Sequence, residues 1–287
     1  MHRAYSLPQF LIIGAQKCGT SWLHACLRQH PQVYLPADKD QEIDFRQRSQ
    51  LAKLQQRLSG RSPEQLPGDA CAAWFWTQRG SDPSTGQPRN IVDDIADVLG
   101  TDIRLILLVR NPVQRAISGY LHHVRHRSLD PNIGILDASP SLGITDLSRY
   151  GLHLHNWLQR FPADSLTVLP APSEAATDGI FNAVLTFLKL PAYDQKLNID
   201  EQVMPGLCNV MQADGLWVRL DEACFQHVRW EPSVPIRELA HQPHVRLISS
   251  EEIKALTESL SKDTRWFLEQ TCEHGWWHDA FALWTQP

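Results

Sequence analysis

Three short runs are apolar almost without interruption: Phe10-Leu11-Ile12-Ile13, Leu105-Ile106-Leu107-Leu108-Val109 and Leu166-Thr167-Val168-Leu169. Runs that do not alternate with polar residues predict strands covered on both faces. Val33-Tyr34-Leu35-Pro36 predicts a further, shorter strand. Between these runs the apolar residues fall three and four apart, which is the helical period. That spacing predicts helices over 22–30, 45–58, 91–99, 112–127, 147–160, 180–188 and 251–272. Glycine, proline and serine mark 60–67 and 80–88 as loops. Residues 130–143, rich in Pro, Gly, Asp and Ser, read as a long mobile loop of the kind that covers active sites. Residues 191–247 read as irregular, and an aromatic tail (Trp276, Trp277, Phe281, Trp284) closes the chain. Strands alternating with helices predict an α/β fold, a central parallel sheet flanked by helices on both faces, in one domain over 1–287. Ligands of such sheets bind beyond the carboxyl ends of the strands.

The first strand leads directly into Gly14-Ala15-Gln16-Lys17-Cys18-Gly19-Thr20-Ser21, and a helix opens immediately after. A glycine-rich turn between a buried strand and a helix aims several backbone N–H groups, and the positive end of the helix dipole, at one point. This is a site for phosphate or sulfate. The nearest general motif, G-x-x-x-x-G-K-[ST], sets its lysine after the second glycine. Here Thr20 and Ser21 follow Gly19, and the lysine comes earlier, at Lys17.

The strand at 105–109 ends in Arg110-Asn111-Pro112-Val113-Gln114-Arg115-Ala116-Ile117-Ser118-Gly119-Tyr120. Asn111 suits a helix N-cap and Pro112 the first helical turn. Arg110 therefore falls at a strand tip, and Ser118 two helical turns past the cap. An arginine and a serine so spaced suit a second phosphate.

Lys17-x-Gly19-Thr20-Ser21, continuing to His30-Pro31, resembles the 5′-phosphosulfate loop of sulfotransferases that use 3′-phosphoadenosine-5′-phosphosulfate (PAPS). Arg110, Pro112, Arg115, Ser118 and Tyr120 resemble the same family's 3′-phosphate motif, with Asn111 in place of a frequent Asp. The likeness covers most of 9–190, through Tyr150-Gly151, Trp157, Phe161-Pro162 and Phe187-Leu188-Lys189-Leu190-Pro191. It is stronger to the glycan-type and bacterial branches than to the cytosolic aryl type. The resemblance implies a P-loop nucleotide-hydrolase-like topology, with 9–30 as phosphosulfate loop and helix, 105–127 as 3′-phosphate strand and helix, and 205–245 on the acceptor side. It implies that Gln16, Lys17, Cys18, Gly19, Thr20 and Ser21 hold the phosphosulfate, that Arg110 and Ser118 hold the 3′-phosphate, and that no metal takes part. Lys17 would follow the bridging oxygen as the bond breaks. Glu42, with Phe45, matches the short Lys-Glu-x-x-Phe-Phe segment whose glutamate serves as base in glycan-type relatives. Asp44 is the reserve base; the cytosolic branch uses a histidine instead, but His122 and His123, which follow Ser118 on the same helix, read as structural or surface groups. The acidic segment common after the 166–169 strand is replaced by Pro170-Ala171-Pro172-Ser173, and a Lys-Gly-Arg type loop has no clear counterpart in 205–245.

Composition narrows the functions that remain. A net charge of -5 argues against a general nucleic-acid binder. No apolar run approaches the ~20 residues of a membrane helix, and the first residues do not read as a signal peptide. With a family in which many relatives are membrane-anchored, this leads to the expectation of a cytoplasmic, bacterial enzyme. The six cysteines are scattered and form no C-x-x-C pair, so they read as reduced thiols. The expected activity is sulfuryl transfer from PAPS to a hydroxyl or amine of a carbohydrate or small metabolite. The alternatives are a P-loop kinase-like phosphotransferase and a non-catalytic nucleotide or glycan binding module.

Overall fold

The computed structural model describes residues 7–39, 43–77, 90–125, 128–130, 133–172, 175–198, 208–212, 215–219, 248–281 and 284. The chain divides into two compact units. One comprises Met1–Arg110, Gly151–Glu201 and Trp266–Pro287, the other Asn111–Tyr150 and Gln202–Arg265.

The first unit is built on five parallel strands: β1 (Phe10–Gly14), β2 (Val33–Tyr34), β3 (Leu66–Ala70), β4 (Arg104–Val109) and β5 (Leu166–Pro170). Their order is β2-β3-β1-β4-β5, which makes β1 the central strand. Every residue of β1 is buried, as its uninterrupted apolar run requires of a strand covered on both faces. The flanking helices are α1 (Thr20–Leu27), α2 (Arg48–Arg57), α3 (Ile91–Leu99), α5 (Tyr150–Leu158) and α6 (Thr177–Phe187). Asn90 caps α3 by accepting from the Val92 amide at 3.2 Å, and the helix buries Ile91, Val92, Ile95 and Ala96.

β3 is a strand that the sequence pattern misses, because Leu66-Pro67-Gly68-Asp69-Ala70 has the composition of a turn. Its neighbours explain the composition. A Cβ on Gly68 would lie 2.2 Å from Cζ of Phe10, so only glycine leaves room for that ring between β1 and β3. Pro67 needs no amide of its own there: its carbonyl accepts from Gln9 at 2.8 Å, and the strand pairs on both sides, Tyr34 with Pro67 and Leu11 with Asp69.

The second unit contains α4 (Pro112–Arg125), the antiparallel strands β6 (Cys208–Gln212), β7 (Gly215–Arg219) and β8 (Ile248–Ser249), and most of α7 (Ser250–Glu273). Residues 191–198 are irregular, as that reading of 191–247 expects, while the β6–β7 pair corrects it at 208–212 and 215–219. A short helix α8 (His278–Phe281) follows α7. The unit's apolar core joins Ala116, Ile117, Tyr120 and Leu121 of α4 to Ile135, Ile144, Ile248, Leu256 and Leu260.

The segment 130–143, expected to be mobile, is tied down at its described positions. Arg115, fully buried, donates through Nη1 to the carbonyls of Gly143 (3.0 Å) and Ile144 (2.7 Å). Tyr120 Oη donates to Ile133 O at 2.9 Å, and His123 Nε2 donates to Leu142 O at 3.0 Å. Three donors on one helix satisfy carbonyls that would otherwise need water. The composition of the segment reflects its turns, including Gly143 in the left-handed region at φ 64°.

Candidate active site

β1 ends at Gly14 and α1 begins at Thr20. In the loop between them, Lys17 (φ 70°) and Gly19 (φ 92°) both take the left-handed conformation. Alternation of left-handed and ordinary residues turns successive amides toward one concavity, the geometry of an anion nest. Lys17 holds this conformation without glycine's freedom, at a cost of order 1–3 kcal/mol, and such strain concentrates at functional loops. Gly19 is required on two counts: its φ, and the 2.5 Å that would separate an added Cβ from Cδ of Pro172.

Gly19 is the N-cap of α1, so the helix has no side-chain cap, and its first turn carries no acidic residue. The first hydrogen bond of the helix runs from the Leu23 amide to Gly19 O at 3.1 Å. The amides of the turn before it are the donors that a helix leaves for a cap or a ligand. The Cys18 amide donates to Ala15 O at 3.1 Å, and its buried thiol points to Gln16 O at 3.7 Å. It closes the turn from within.

The loop is fixed to the strands on either side. The Ala15 amide donates to Leu108 O on β4 at 2.7 Å, and the Phe75 amide to Ile13 O at 2.8 Å. The Ala171 amide, just past β5, donates to Val109 O at 2.7 Å. Arg110, half-buried, thus follows a strand end that neighbours the anion loop on one side and the close of β5 on the other.

In the second unit, Asn111 caps α4 as expected: Oδ1 accepts from the amides of Val113 (3.0 Å) and Gln114 (3.2 Å). Ser118 lies in α4 and is half-buried. Arg115, one of the residues in the family-like motif, is engaged by backbone carbonyls as described above.

Glu42 lies outside the described residues. Asp44 is committed to local structure. Its Oδ1 accepts from the Arg46 amide (3.1 Å) and its Oδ2 from Gln47 Nε2 (3.0 Å), while Arg46 also reaches Asp94 at 3.3 Å. His123 is bound through both ring nitrogens, Nδ1 with Ser128 Oγ at 2.9 Å and Nε2 with Leu142 O, and His122 packs on its ring at 5.6 Å.

A buried ion pair lies on β3. Arg57 Nη1 donates to Asp69 Oδ2 at 2.7 Å, and the Asp69 side chain is 2% exposed. Burial pushes its carboxyl up to about 6, against the opposing pull of Arg57 and of the Ala70 amide. Desolvation thus outweighs the pairing. Cys26 on α1 is likewise raised by burial, to about 12, and is an inert thiol. Among the described side chains, Cys18, Cys26, Cys71 and Cys272 are free thiols. Among the described residues no three His, Cys, Asp or Glu side chains are grouped to hold a metal ion, and no helix is long and apolar enough to cross a membrane. Trp74 is buried and packs on Phe45 with ring centroids 5.7 Å apart.

A parallel sheet with an uncapped helix at the tip of its central strand, and an arginine at the tip of the next, defines a binder of phosphorylated or sulfated anions. Residues 7–170 match the sulfotransferase domain family, and the chain belongs to it. Over 162 residues it is 31% identical to mouse (Mus musculus) heparan sulfate glucosamine 3-O-sulfotransferase 6, a match covering 54% of this chain and 44% of that protein. Over 156 residues it is 29% identical to human (Homo sapiens) carbohydrate sulfotransferase 15, covering 42% of this chain and 28% of the other. The chain therefore spans less than half the length of these curated relatives. A sulfotransferase structure from Alicyclobacillus acidocaldarius superposes with a TM-score of 0.59 at 17% identity, covering 96% of this chain and 99% of that one, and shares the P-loop-like fold.

Proposed function

We propose that this chain transfers a sulfuryl group from PAPS to a hydroxyl or amine of a carbohydrate or small-metabolite acceptor. The observation that carries the proposal is the loop from Gly14 to Gly19: left-handed at Lys17 and Gly19, it ends in a helix N-terminus that has neither a capping side chain nor an acid in its first turn. A nest of this kind fits a tetrahedral dianion. Family membership supports the choice of PAPS, and the matched relatives are named for glycan substrates, which supports a hydroxylated acceptor.

When bound, PAPS supplies an activated sulfuryl group on a phosphate leaving group. The amides of Gly19, Thr20 and Ser21, with the two hydroxyls, hold the phosphosulfate end. Lys17 stabilises the charge that builds on the leaving phosphate, a role that needs a preorganised cation and no metal. Gln16 and Cys18 shape the turn that presents these groups. Arg110 holds the 3′-phosphate by charge-assisted hydrogen bonds, and the sequence motif names Ser118 as its second ligand. Glu42 is the proposed base, taking the proton from the acceptor as the new bond forms.

Titration calorimetry with 3′-phosphoadenosine-5′-phosphate (PAP) and with magnesium–ATP tests the reading. Tight binding of PAP and weak binding of magnesium–ATP is the expected result. The reverse would assign the site to a kinase-like phosphotransferase. Tight PAP binding without PAPS consumption, across a panel of hydroxylated sugars that includes heparan sulfate, would leave a binding module.

A further inference from the structure

The root of the anion loop is held on two sides by different means. Toward β4 it meets a strand, through the bond from the Ala15 amide to Leu108 O. Toward β3 it meets a turn, residues 71–77, which begins where that strand ends. The Cys71 amide donates to Ile12 O at 3.1 Å and the Phe75 amide to Ile13 O at 2.8 Å. Phe75 also packs directly against Gly14: a Cβ on Gly14 would lie 2.6 Å from Phe75 Cβ and 3.3 Å from Ala72 O. A strand takes its position from its ladder, whereas a turn past the end of the sheet needs other partners for its polar groups. Thr77, at the close of the turn, donates its amide to Nδ1 of His153 on α5 at 3.4 Å, and its Oγ1 lies 3.0 Å from the same nitrogen. Asn156, one turn along α5, donates through Nδ2 to Thr77 Oγ1 at 2.7 Å. An amide only donates, so Nδ1 carries no proton; the hydroxyl therefore donates to Nδ1 and accepts from Asn156. His153 is fully buried and Thr77 is 6% exposed. The His153 ring meets the Phe75 ring edge-on, with centroids 5.6 Å apart. Asn156, Thr77, His153, Phe75 and Gly14 thus form one line of contacts from α5 to the start of the anion loop.

We propose that His153, Thr77 and Asn156 are positioning residues for the anion loop. By fixing the turn 71–77 and the Phe75 ring, they fix the place from which Gly14 leaves β1, and with it the direction of the amides that follow. The inference rests on the reading of that loop as the phosphosulfate site. A hydroxyl and an imidazole are costly groups to bury where apolar side chains would fill the same space. Fully paired, such a network holds its members in one arrangement. That is what a nest of amides demands, since donors stabilise an anion best when they need no reorganisation to meet it. At metal sites, side chains that orient the ligating groups are worth about 10–100-fold in affinity, and the same scale sets the expectation for an anion here.

The test uses the full chain, with PAP affinity read by calorimetry and hydrogen exchange read on the same variants. Thr77→Val keeps the side-chain volume and removes the hydroxyl, and Thr77→Ser returns it. Thr77→Val is expected to weaken PAP binding about 10-fold, and to raise exchange in residues 13–19 and 71–77 but not in α6. Thr77→Ser is expected to recover both readouts. Should Thr77→Val prove insoluble, Asn156→Ala, at a partly exposed position, carries the same expectations in affinity and exchange. Exchange raised in 71–77 alone, with PAP affinity unchanged, would make the trio an anchor of the turn and nothing more, and would overturn the proposal. So would failure of Thr77→Ser to recover, or exchange raised equally in α6, the mark of general destabilisation. Absence of PAP binding in the wild type would instead strike the phosphosulfate reading, and exchange in 13–19 would still decide whether the trio holds the loop.

Discussion

The amide of Ala15 and the carbonyl of Leu108 meet at 2.7 Å. Through this bond the first residue of the anion loop is fixed to β4, whose end at Val109 is followed directly by Arg110. The sheet order puts β1 and β4 side by side, so two loops about ninety residues apart in sequence share one edge of the sheet. Parallel strands, joined by long crossovers, are what allow such distant residues to become neighbours at their carboxyl ends.

Lys17→Ala is expected to lower kcat by about 10²–10³-fold, the scale for removing one preorganised group that stabilises leaving-group charge. Steady-state turnover of PAPS checks it, and a loss below tenfold would take Lys17 out of the transition state.

Gly19→Ala forces a Cβ to 2.5 Å from Pro172 Cδ at a φ of 92°. It is expected to destabilise the fold by about 1–3 kcal/mol and to abolish PAP binding. Urea denaturation and calorimetry report the two effects separately. Wild-type PAP affinity in this variant would show that the nest does not hold the nucleotide.

Asp69 supplies a dependence on pH. Its folded pKa, about 6, lies above its unfolded value, so protonation favours the folded state. That contribution is complete below about pH 4 and lost as the pH rises through 6, and it amounts to about 2–3 kcal/mol. Asp69→Asn has no such titration. The stability of wild type relative to the variant is therefore expected to fall between pH 4 and pH 7, by denaturant melts at each pH. Parallel curves would mean that Arg57 holds the carboxylate ionised throughout.

Arg115→Met keeps the aliphatic volume and removes the donor to Gly143 O and Ile144 O. The segment 130–145 should then become cleavable under conditions that leave wild type intact, as limited proteolysis with mass mapping would show. Equal resistance would place the hold on that segment in Tyr120 and His123.

Sequence alone determined the elements whose information is local. The apolar runs marked β1, β4 and β5, because a strand buried on both faces needs no polar partner pattern. Gly14 to Ser21 and Arg110 to Tyr120 could be picked out as family-like motifs because such motifs depend on a few residues at fixed spacing. What the tertiary structure decided was every assignment that depends on a neighbour distant in the chain. β3 hid behind Pro67 and Gly68 because its composition answers to Phe10, not to strand propensity. The segment at 130–143 looked free until three side chains of α4 reached its carbonyls. Arg115 fits a phosphate-binding motif by position, yet burial turned it toward the backbone. Arg57, Asp69 and His153 carried no motif at all: hydrogen-bond partners are set by how chain segments pack, and one residue's identity says little about which group will arrive beside it.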